Sequence, residues 1–426
     1  MALWLIVGMF FGPLYLIFIP ITALLLLRKN YFLELLLGFW FILILSDSVI
    51  FNLSFAKTFK PIFILLVAFC LIVRHRDFFQ FKNRIFLSFL PFIVWSFFVI
   101  AFSNDVLVCF QKTLSYSLIL LVVPYFSIWA IENEKENFFR GVIWFGAFII
   151  IGCLIYALFS GESAFLEGRF RGFFGNANAI GIFSMLLFIF FELSLSYSKG
   201  LFSKYEKWFL YFLILGILLY SQTRSAIFAV TIYLFFSRVY SILPIAGIAI
   251  IASIAFFYQD ILGLLEKAVF LFNLEEFFRW ETLAQGSGRT QAWKHAMKEI
   301  NSSFSSFTFG QGFNYTENLF KEDFRVLSQK GHLGNAHQSF LTFWLDTGII
   351  GLILYCVAFL TLFFRMARKS VLAFPIFYAI VFSVSFESWL TASLNPFTIL
   401  FIMILTVLSL GKENKEELVE ENPVST

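Results

Sequence analysis

Four arginines stand where apolar segments meet turns, and each has small residues beside it. They are Arg169 and Arg171 in GRFRGFFGNANAIG, Arg224 in SQTRSA and Arg289 in GSGRTQAW. A guanidinium group is a rigid planar fork of N–H donors that matches the oxygens of a phosphate. Small neighbouring residues let a ligand approach the backbone closely. The pattern predicts a site for a phosphorylated substrate, although any single arginine could instead pair with a carboxylate or with lipid headgroups.

One histidine is placed for acid–base chemistry. His337 lies in GNAHQSFLTFW, where a long apolar segment begins, and Asn335 is predicted to be the N-cap of the helix that follows. His337 would then lie in the first helical turn, where the helix dipole disfavours the imidazolium form. A neutral imidazole can take a proton from a hydroxyl group. We therefore predict that His337 is a general base; the alternative is a capping or interfacial histidine.

Acidic side chains are rare in the apolar segments, which makes each of them a candidate for function. Asp346 follows His337 by nine residues, and Glu387 lies in FESWLTASLNPF near one end of a later segment. We expect Glu387 to orient the site and Asp346 to support it from deeper in the helix. The sequence contains no D-x-D and no Cys/His cluster with metal-ligand spacing. It therefore predicts a reaction without a metal ion or a cofactor.

The composition indicates the environment of these residues. Hydrophobic residues make up 60% of the 426-residue chain and charged residues 14%, against about 25% charged in soluble domains. The mean hydropathy is +0.85. Such a chain is a polytopic membrane protein, because no soluble core could bury so much apolar surface. The net charge of +4 is spread along the chain and gives no case for nucleic-acid binding.

Helices are expected to carry the apolar segments, because a helix satisfies its own backbone polar groups in lipid. The strands of a membrane barrel would alternate in polarity, and these segments do not. The apolar segments run at about 2–27, 31–46, 61–73, 85–103, 113–131, 141–160, 177–195, 208–221, 225–237, 241–258, 338–364, 371–389 and 393–410. The sequence thus predicts an all-α fold with about 12 or 13 transmembrane helices. Its regions are the spans of 1–258, one large helical loop at 259–336, the spans of 337–410 and a tail at 411–426.

Lysine and arginine are distributed unequally between alternate loops. One set of short loops carries fifteen basic residues and the opposite set carries six. Because cytoplasmic loops are enriched in basic residues, we assign the first set, with the C-terminal tail, to the cytoplasm. The four arginines, His337 and the loop 259–336 then lie on the outer face.

The outer loop is predicted to contain helices. Apolar residues recur near helical spacing over 261–283 and predict an amphipathic helix, which either lies on the membrane face or packs on the outer ends of the spans. A second helix is expected to begin near Ser287, with Trp293, Met297 and Ile300 on one face. Residues 301–316, rich in Ser and Gly, are expected to be a loop.

Four motifs together resemble the O-antigen ligase and O-antigen polymerase superfamily of bacterial membrane glycosyltransferases. They are R-F-x-G-x-F-x-N-x-N at 169–178, T-R-S-A at 223–226, S-G-R…W at 287–293 with F-G-Q-G-F at 309–313, and A-H-Q-S-F-L…D-T-G-I-I-G at 336–351. The resemblance covers roughly 165–410. This sequence has Gln338 and Asp346 where the family usually has Asn and Glu, and both changes keep the polarity.

The resemblance implies a substrate that composition could not indicate. The donor is a glycan carried on undecaprenyl diphosphate at the periplasmic face of the bacterial inner membrane, and membrane lipids surround the site. The acceptor is a hydroxyl group of lipid A–core or of a growing glycan. Diphosphate is a good leaving group, so a metal is not essential. The resemblance also implies diphosphate binding by Arg169, Arg171, Arg224 and Arg289, catalysis by His337, and support from Asn178, Asp346 and Glu387.

Three activities of that superfamily remain open at this point. A ligase transfers finished polymer to lipid A–core, a polymerase extends the polymer on its carrier, and a third class transfers glycan to protein hydroxyls. The single compact outer loop favours the ligase. A lipid or solute transporter is the alternative from another class, and it would carry polar groups near the middle of the membrane.

Overall fold

The computed structural model describes residues 1–74, 84–238, 289–322 and 336–411, with the isolated positions 247, 266–267 and 269–271. The described chain is almost entirely helical, which confirms the all-α prediction. Its helices are α1 (Ala2–Phe10), α2 (Tyr15–Arg28), α3 (Phe32–Ser46), α4 (Phe55–Arg74), α5 (Arg84–Val99), α6 (Val106–Ser160), α7 (Ala177–Tyr197), α8 (Lys204–Tyr220), α9 (Arg224–Arg238), α10 (Arg289–Ile300), α11 (Phe304–Thr308), α12 (Tyr315–Glu322), α13 (Ser339–Ala367), α14 (Ala373–Phe386) and α15 (Pro396–Leu410). One short hairpin joins β1 (Phe165–Leu166) to β2 (Arg169–Phe170).

Several helices are long and apolar enough to cross a membrane, as the multi-pass prediction requires. Within the described residues these are Phe51–Val73, Arg84–Phe102, Val106–Ala164, Ala177–Tyr197 and Ser339–Ala367, and four shorter apolar helices accompany them. The total of 12 or 13 spans stays a prediction, because most of 241–258 lies outside the described residues. The amphipathic helix expected at 261–283 and the tail from 412 lie largely or wholly outside them as well.

The centre of the bundle consists of helices that are apolar on every side. Most residues of α3, α7 and α15 are buried, as expected for helices that contact other helices around most of their circumference. The Trp40 indole N–H donates to the Pro396 carbonyl across 2.9 Å, and the Trp40 ring stacks on Phe183. These contacts join α3, α7 and α15 into one core.

Three long segments of the chain are interrupted in the structure by a turn or by non-helical backbone. The run 2–27 folds as two helices joined by a turn at Gly12–Leu14, and Trp4 donates to the Thr22 hydroxyl across 2.7 Å. The helix α6 has non-helical backbone at Glu134, between the spans predicted at 113–131 and 141–160. The helix α13 has non-helical backbone at Gly348 (φ 67°, ψ 178°).

The break at Gly348 is matched to a glycine turn in the preceding loop. A Cβ atom at Gly348 would lie 2.2 Å from the Thr308 carbonyl oxygen, and one at Gly310 would lie 2.4 Å from the Gly348 nitrogen. The backbone N–H of Gln311 donates to the Leu345 carbonyl (3.1 Å), and that of Gly312 donates to the Asp346 carbonyl (2.7 Å). The carbonyl groups released by the break thus find partners, and the F-G-Q-G-F and D-T-G motifs fit together through glycine.

The described part of the outer loop differs from its prediction in two details. The helix predicted near Ser287 is present as α10, but its buried face consists of Ala292, Ala296 and Ile300, and Met297 is exposed. Residues 301–316 contain the short helix α11 and the start of α12, where a loop was expected. Ser303 explains α11, because its hydroxyl caps the helix by accepting from the Ser306 N–H (3.0 Å).

Candidate active site

The carboxylate of Glu387 joins four segments that are distant in sequence. It follows the last residue of α14 and is 6% exposed. Its Oε1 atom accepts from the Arg289 guanidinium (Nη2, 2.8 Å) and from the Asn178 amide (3.0 Å), with the Ser225 hydroxyl at 3.5 Å. Its Oε2 atom lies 3.6 Å from Nδ1 of His337. We call this group the Glu387 cluster.

Arg169 extends the Glu387 cluster through Asn178. Its Nη2 group donates to the Asn178 side-chain oxygen (2.6 Å) and to the Thr223 hydroxyl (3.2 Å), and its Nε group donates to the Ser221 carbonyl (3.3 Å). Asn178 therefore accepts from one arginine with its oxygen and donates to Glu387 with its nitrogen. Two of the arginines predicted to bind phosphate, Arg169 and Arg289, thus belong to one hydrogen-bonded network.

The loop that carries Arg169 is fixed at both ends. Arg169 lies on β2, whose hairpin with β1 aligns Leu166 with Arg169. At the other end of the loop the Asn176 side chain caps α7 by accepting from the Asn178 N–H (3.0 Å). The Gly175 N–H also donates to the Asp47 carbonyl (2.7 Å), which ties this loop to the end of α3.

Arg289 and His337 are held together by a tryptophan. Arg289 is the first described residue of α10, and its guanidinium lies 5.7 Å from the centre of the Phe386 ring. One turn later, the Trp293 indole N–H donates to the Ala336 carbonyl across 3.1 Å. This bond fixes α10 beside the residue that precedes His337.

His337 does not lie in the first turn of a helix, and that prediction was wrong. The N-cap of α13 is Gln338, whose side chain accepts from the Leu341 N–H, whereas Asn335 lies outside the described residues. His337 therefore precedes the N-cap, and its backbone adopts φ +46°, a conformation that few non-glycine residues take. The chain therefore turns at His337, immediately before the N-cap of α13. The capping role at position 338 needs a side-chain acceptor; Gln338 provides one here, and Asn is among the residues preferred at an N-cap.

The Glu387 cluster lies at one end of the bundle, where several helix termini meet. Helices α7, α9 and α13 begin there, at Ala177, Arg224 and Ser339, and α14 ends there at Phe386. The Ser339 hydroxyl donates to the Glu387 carbonyl across 2.8 Å, which holds α13 to the end of α14. The three N-termini carry partial positive charge and the C-terminus of α14 carries partial negative charge, so positive ends outnumber the negative end among these four helices.

The remaining predicted residues take different positions. Arg224 begins α9, between Thr223 and Ser225, which both contact members of the cluster. Arg171 points away from the cluster: its guanidinium donates to the carbonyl groups of Ser163 (3.0 Å) and Gly175 (3.4 Å). The structure does not bring Arg171 together with the other arginines. Through these hydrogen bonds Arg171 stabilises the loop before α7.

Asp346 anchors the outer loop and takes no part in the Glu387 cluster. It is 4% exposed, and its Oδ1 atom accepts from both the backbone N–H (2.9 Å) and the hydroxyl (2.7 Å) of Thr316. Thr316 belongs to the first turn of α12, so the carboxylate satisfies an N–H group that the helix itself cannot. Its supporting role is therefore one of holding the loop against the broken helix α13.

A comparison with protein-family models bears on these motifs. Residues 209–356 match the model of the O-antigen ligase family. The match spans 148 of the 426 residues and supports the O-antigen ligase and polymerase superfamily. No protein among the curated proteins compared matches the chain. The family match indicates a membrane enzyme of the glycosyltransferase type, whose partners are in general a lipid-linked glycan and a glycan acceptor.

The superfamily match covers only part of the site. It contains Arg224, Arg289 and His337, whereas Arg169, Asn178 and Glu387 lie outside it. The contacts of Glu387 join the two groups. Three hydroxyl residues that contact this network, Thr223, Ser225 and Ser339, were not predicted as site residues. Thr223 and Ser225 flank Arg224 in its motif, and Ser339 belongs to the His337 motif.

A second polar group lies near the same end. Lys112 of α6 contacts Glu317 of α12 at 2.5 Å, and Lys321 lies at 2.8 Å from the same carboxylate. Burial works to raise the pKa of Glu317, but the two ammonium groups outweigh it and lower the pKa to about 2. The Lys112–Glu317 pair attaches the outer loop to α6, whereas the Lys321–Glu317 pair lies within α12.

Proposed function

We propose that the protein transfers a glycan from undecaprenyl diphosphate to an acceptor hydroxyl group at the periplasmic face of the bacterial inner membrane, without a metal ion. The observation that carries this proposal is the Glu387 cluster. One buried carboxylate contacts Arg289, Asn178 and the imidazole of His337, so anion-binding groups and a base adjoin each other. The family match supports the reaction class.

The charges of the cluster suit a diphosphate. Arg169 and Arg289 contribute two positive charges and Glu387 one negative charge. Arg224, which begins α9 between two residues that contact this network, would add a third positive charge and leave an excess of two. The N-termini of α7, α9 and α13 add partial positive charge at the same end of the bundle. A diphosphate gains negative charge as its bond to the sugar breaks, and positive groups already in place lower the barrier without having to reorganise.

In this proposal His337 acts as the base of the reaction. A carboxylate beside Nδ1 favours the tautomer whose Nδ1 carries the proton, which leaves the Nε2 lone pair available for the acceptor. The acceptor oxygen forms a bond with the anomeric carbon while the bond between that carbon and the diphosphate oxygen breaks. The acceptor proton passes to Nε2, and the bonding electrons leave with the lipid diphosphate.

The distribution of charge supports the orientation. The ends of α7, α9 and α13 that are remote from the cluster are followed by or carry basic residues: Lys199, Arg238, Arg365 and Arg368. Cytoplasmic loops are enriched in such residues. The Glu387 cluster then faces the periplasm, and the C-terminus lies in the cytoplasm.

Within the superfamily we favour the ligase activity, with lipid A–core as the acceptor. The alternatives are a repeat-unit polymerase and a protein O-oligosaccharyltransferase. A transporter is less well supported, because the described residues with unusual polarity gather at one end of the bundle, whereas a transporter would hold them near its middle.

Deletion of the gene, followed by analysis of the surface glycan, tests the proposal. Bare core with polymer left on undecaprenyl diphosphate supports the ligase. Core capped by a single repeat unit indicates the polymerase, and loss of glycan from proteins alone indicates the protein-directed enzyme. An unchanged surface glycan would contradict all three.

A further inference from the structure

Thr223 is a buried hydroxyl residue in the turn between α8 and α9, next to Arg224. Its hydroxyl group donates to the Ala177 carbonyl of α7 across 3.0 Å and accepts from the Arg169 guanidinium (Nη2, 3.2 Å). It also lies 3.0 Å from the hydroxyl of Ser221, the C-cap of α8. One side chain thus joins the first turn of α7, the end of α8 and the strand that carries Arg169.

A glycine of α7 leaves the space that Thr223 occupies. A Cβ atom added at Gly181 would lie 2.3 Å from the Thr223 hydroxyl oxygen and 2.4 Å from the Thr223 Cβ atom. Gly181 lies one turn after Ala177, whose carbonyl group accepts from this hydroxyl. A larger residue at position 181 would displace Thr223 from α7. The close approach of the hydroxyl group to the α7 backbone therefore depends on Gly181.

The hydrogen bonds of Arg169 fix the plane of its guanidinium group. Its Nη2 group donates to the Asn178 side-chain oxygen (2.6 Å) and to Thr223, and its Nε group donates to the Ser221 carbonyl (3.3 Å). Because the guanidinium is planar and rigid, it cannot rotate without breaking one of these bonds. Asn178 donates in turn to Glu387, so the orientation of Arg169 is coupled to the position of the Glu387 carboxylate.

We infer that Thr223 is a positioning residue for Arg169, and that its hydroxyl group holds the guanidinium in the orientation in which it meets the diphosphate. The inference rests on the proposed function, in which Arg169 binds that group. The other partners of the hydroxyl keep a hydrogen bond when it is removed. The Ala177 carbonyl accepts from the N–H four residues later in its helix, and the Ser221 hydroxyl donates to the Leu218 carbonyl (2.8 Å). Loss of the hydroxyl should therefore act mainly on Arg169.

Binding of undecaprenyl diphosphate to the full-length protein in lipid nanodiscs tests the inference. Thr223→Val keeps the shape of the side chain without its hydroxyl and should raise Kd about tenfold, the order of magnitude of one hydrogen bond to a charged group. Thr223→Ser keeps the hydroxyl and should restore most of the affinity. Thr406→Val is the matched control, because Thr406 is also buried and its hydroxyl donates to the Ile402 carbonyl of its own helix (2.7 Å); its Kd should equal that of the wild type.

A double-mutant cycle separates the positioning of Arg169 from a general effect on the fold. Arg169→Met removes the guanidinium, so Thr223→Val should change Kd by less than about twofold in that background. If Thr223→Val raises Kd equally in both backgrounds, or leaves the affinity unchanged when Arg169 is present, the inference is overturned. If the wild type does not bind undecaprenyl diphosphate at all, the proposed function fails, and the inference fails with it.

Substitution of Gly181 provides a second test that leaves Thr223 unchanged. Gly181→Ala should displace the Thr223 hydroxyl and raise Kd in the same way. Gly146→Ala is its matched control, because a Cβ atom there would lie 2.5 Å from the Leu187 side chain, near the middle of α7. Both variants disturb the packing of α7, but only the first does so at Thr223. An equal rise of Kd in the two variants would assign the effect to helix packing and overturn the inference.

Discussion

The carboxylate of Glu387 lies against the imidazole of His337, with 3.6 Å between Oε2 and Nδ1, although 50 positions separate the two residues. The same carboxylate accepts hydrogen bonds from Arg289 and Asn178 through its other oxygen. Glu387 therefore stands between the groups proposed to bind the diphosphate and the group proposed to take the acceptor proton. The position of the proposed base relative to the proposed diphosphate-binding groups therefore depends on one buried side chain.

His337→Ala should transfer glycan slowly but still bind the lipid donor. Loss of a positioned general base lowers kcat by about 10²- to 10⁴-fold. The measurement is transfer by the purified variant, together with its affinity for undecaprenyl diphosphate. His295→Ala is the control, because that ring packs against Phe320 in the outer loop. Transfer at the wild-type rate by His337→Ala would leave His337 with a structural role only.

Glu387→Gln should lower kcat and leave KM for the donor unchanged or reduced. The amide oxygen can still accept from Asn178, but the negative charge that favours the Nδ1–H tautomer of His337 is lost, which costs about 10²-fold or more in kcat. The removed charge also no longer neutralises Arg289, so donor binding should not weaken. Steady-state kinetics give the two parameters separately. A rise in KM with unchanged kcat would show that Glu387 only maintains the binding site.

Arg169→Lys, Arg224→Lys and Arg289→Lys should each weaken the binding of undecaprenyl diphosphate although the charge is retained. Lysine lacks the planar fork, and loss of about 1.4 kcal/mol corresponds to a tenfold rise in Kd. Arg140→Lys is the matched control: that guanidinium contacts Glu206 at 2.6 Å at the opposite end of α8. Wild-type affinity in all three variants would refute the diphosphate role.

Glycan transfer should continue in an excess of chelator. The chain contains no D-x-D, and the diphosphate is a good leaving group that the arginines stabilise. The check compares the initial rates of the purified enzyme with and without chelator, using total membrane protein from a deletion strain as the blank. Activity that chelation abolishes and magnesium or manganese restores would defeat the prediction.

Asp47→Asn should stabilise the protein at alkaline pH. Asp47 lies behind the Arg169 loop, and burial raises its pKa to about 6, although Lys60 and Lys57 act in the opposite direction. Because the folded-state pKa is above the ordinary value of 3.8, the charged form destabilises the fold increasingly as pH rises from about 4 to 6 and by a constant amount above. A shift of two pKa units bounds the effect at ~3 kcal/mol. The Tm difference between variant and wild type should therefore be larger at pH 8 than at pH 4.

A control for the Asp47 experiment is Asp105→Asn. Asp105 is the exposed N-cap of α6 and accepts from the Val108 N–H, a bond that asparagine can also accept. If the Tm gain of Asp47→Asn were the same at pH 4 and pH 8, burial of the charged carboxylate would not be its cause.

The sequence by itself determined the class of fold and the candidates for chemistry. Composition required membrane-spanning structure, and the absence of alternating polarity left helices, since only helices or closed barrels satisfy the backbone in lipid. Arg169 and Arg289 could be singled out because arginine is disfavoured in outer loops. His337 could be singled out because neighbouring residues show that it lies where a long apolar segment begins. The helix boundaries were less certain where caps compete, as at His337, since Asn335 and Gln338 can both serve as an N-cap.

Only the tertiary structure decided which of these residues meet. Asn178 and Glu387 are 209 positions apart, and no local pattern relates them, because their contact depends on how α7 packs against the end of α14. Arg171, two residues from Arg169, donates to backbone carbonyl groups instead, because the loop after β2 directs it away. Hydropathy and spacing act over a few residues, whereas the site is made by helix ends that only the folded bundle brings to one place.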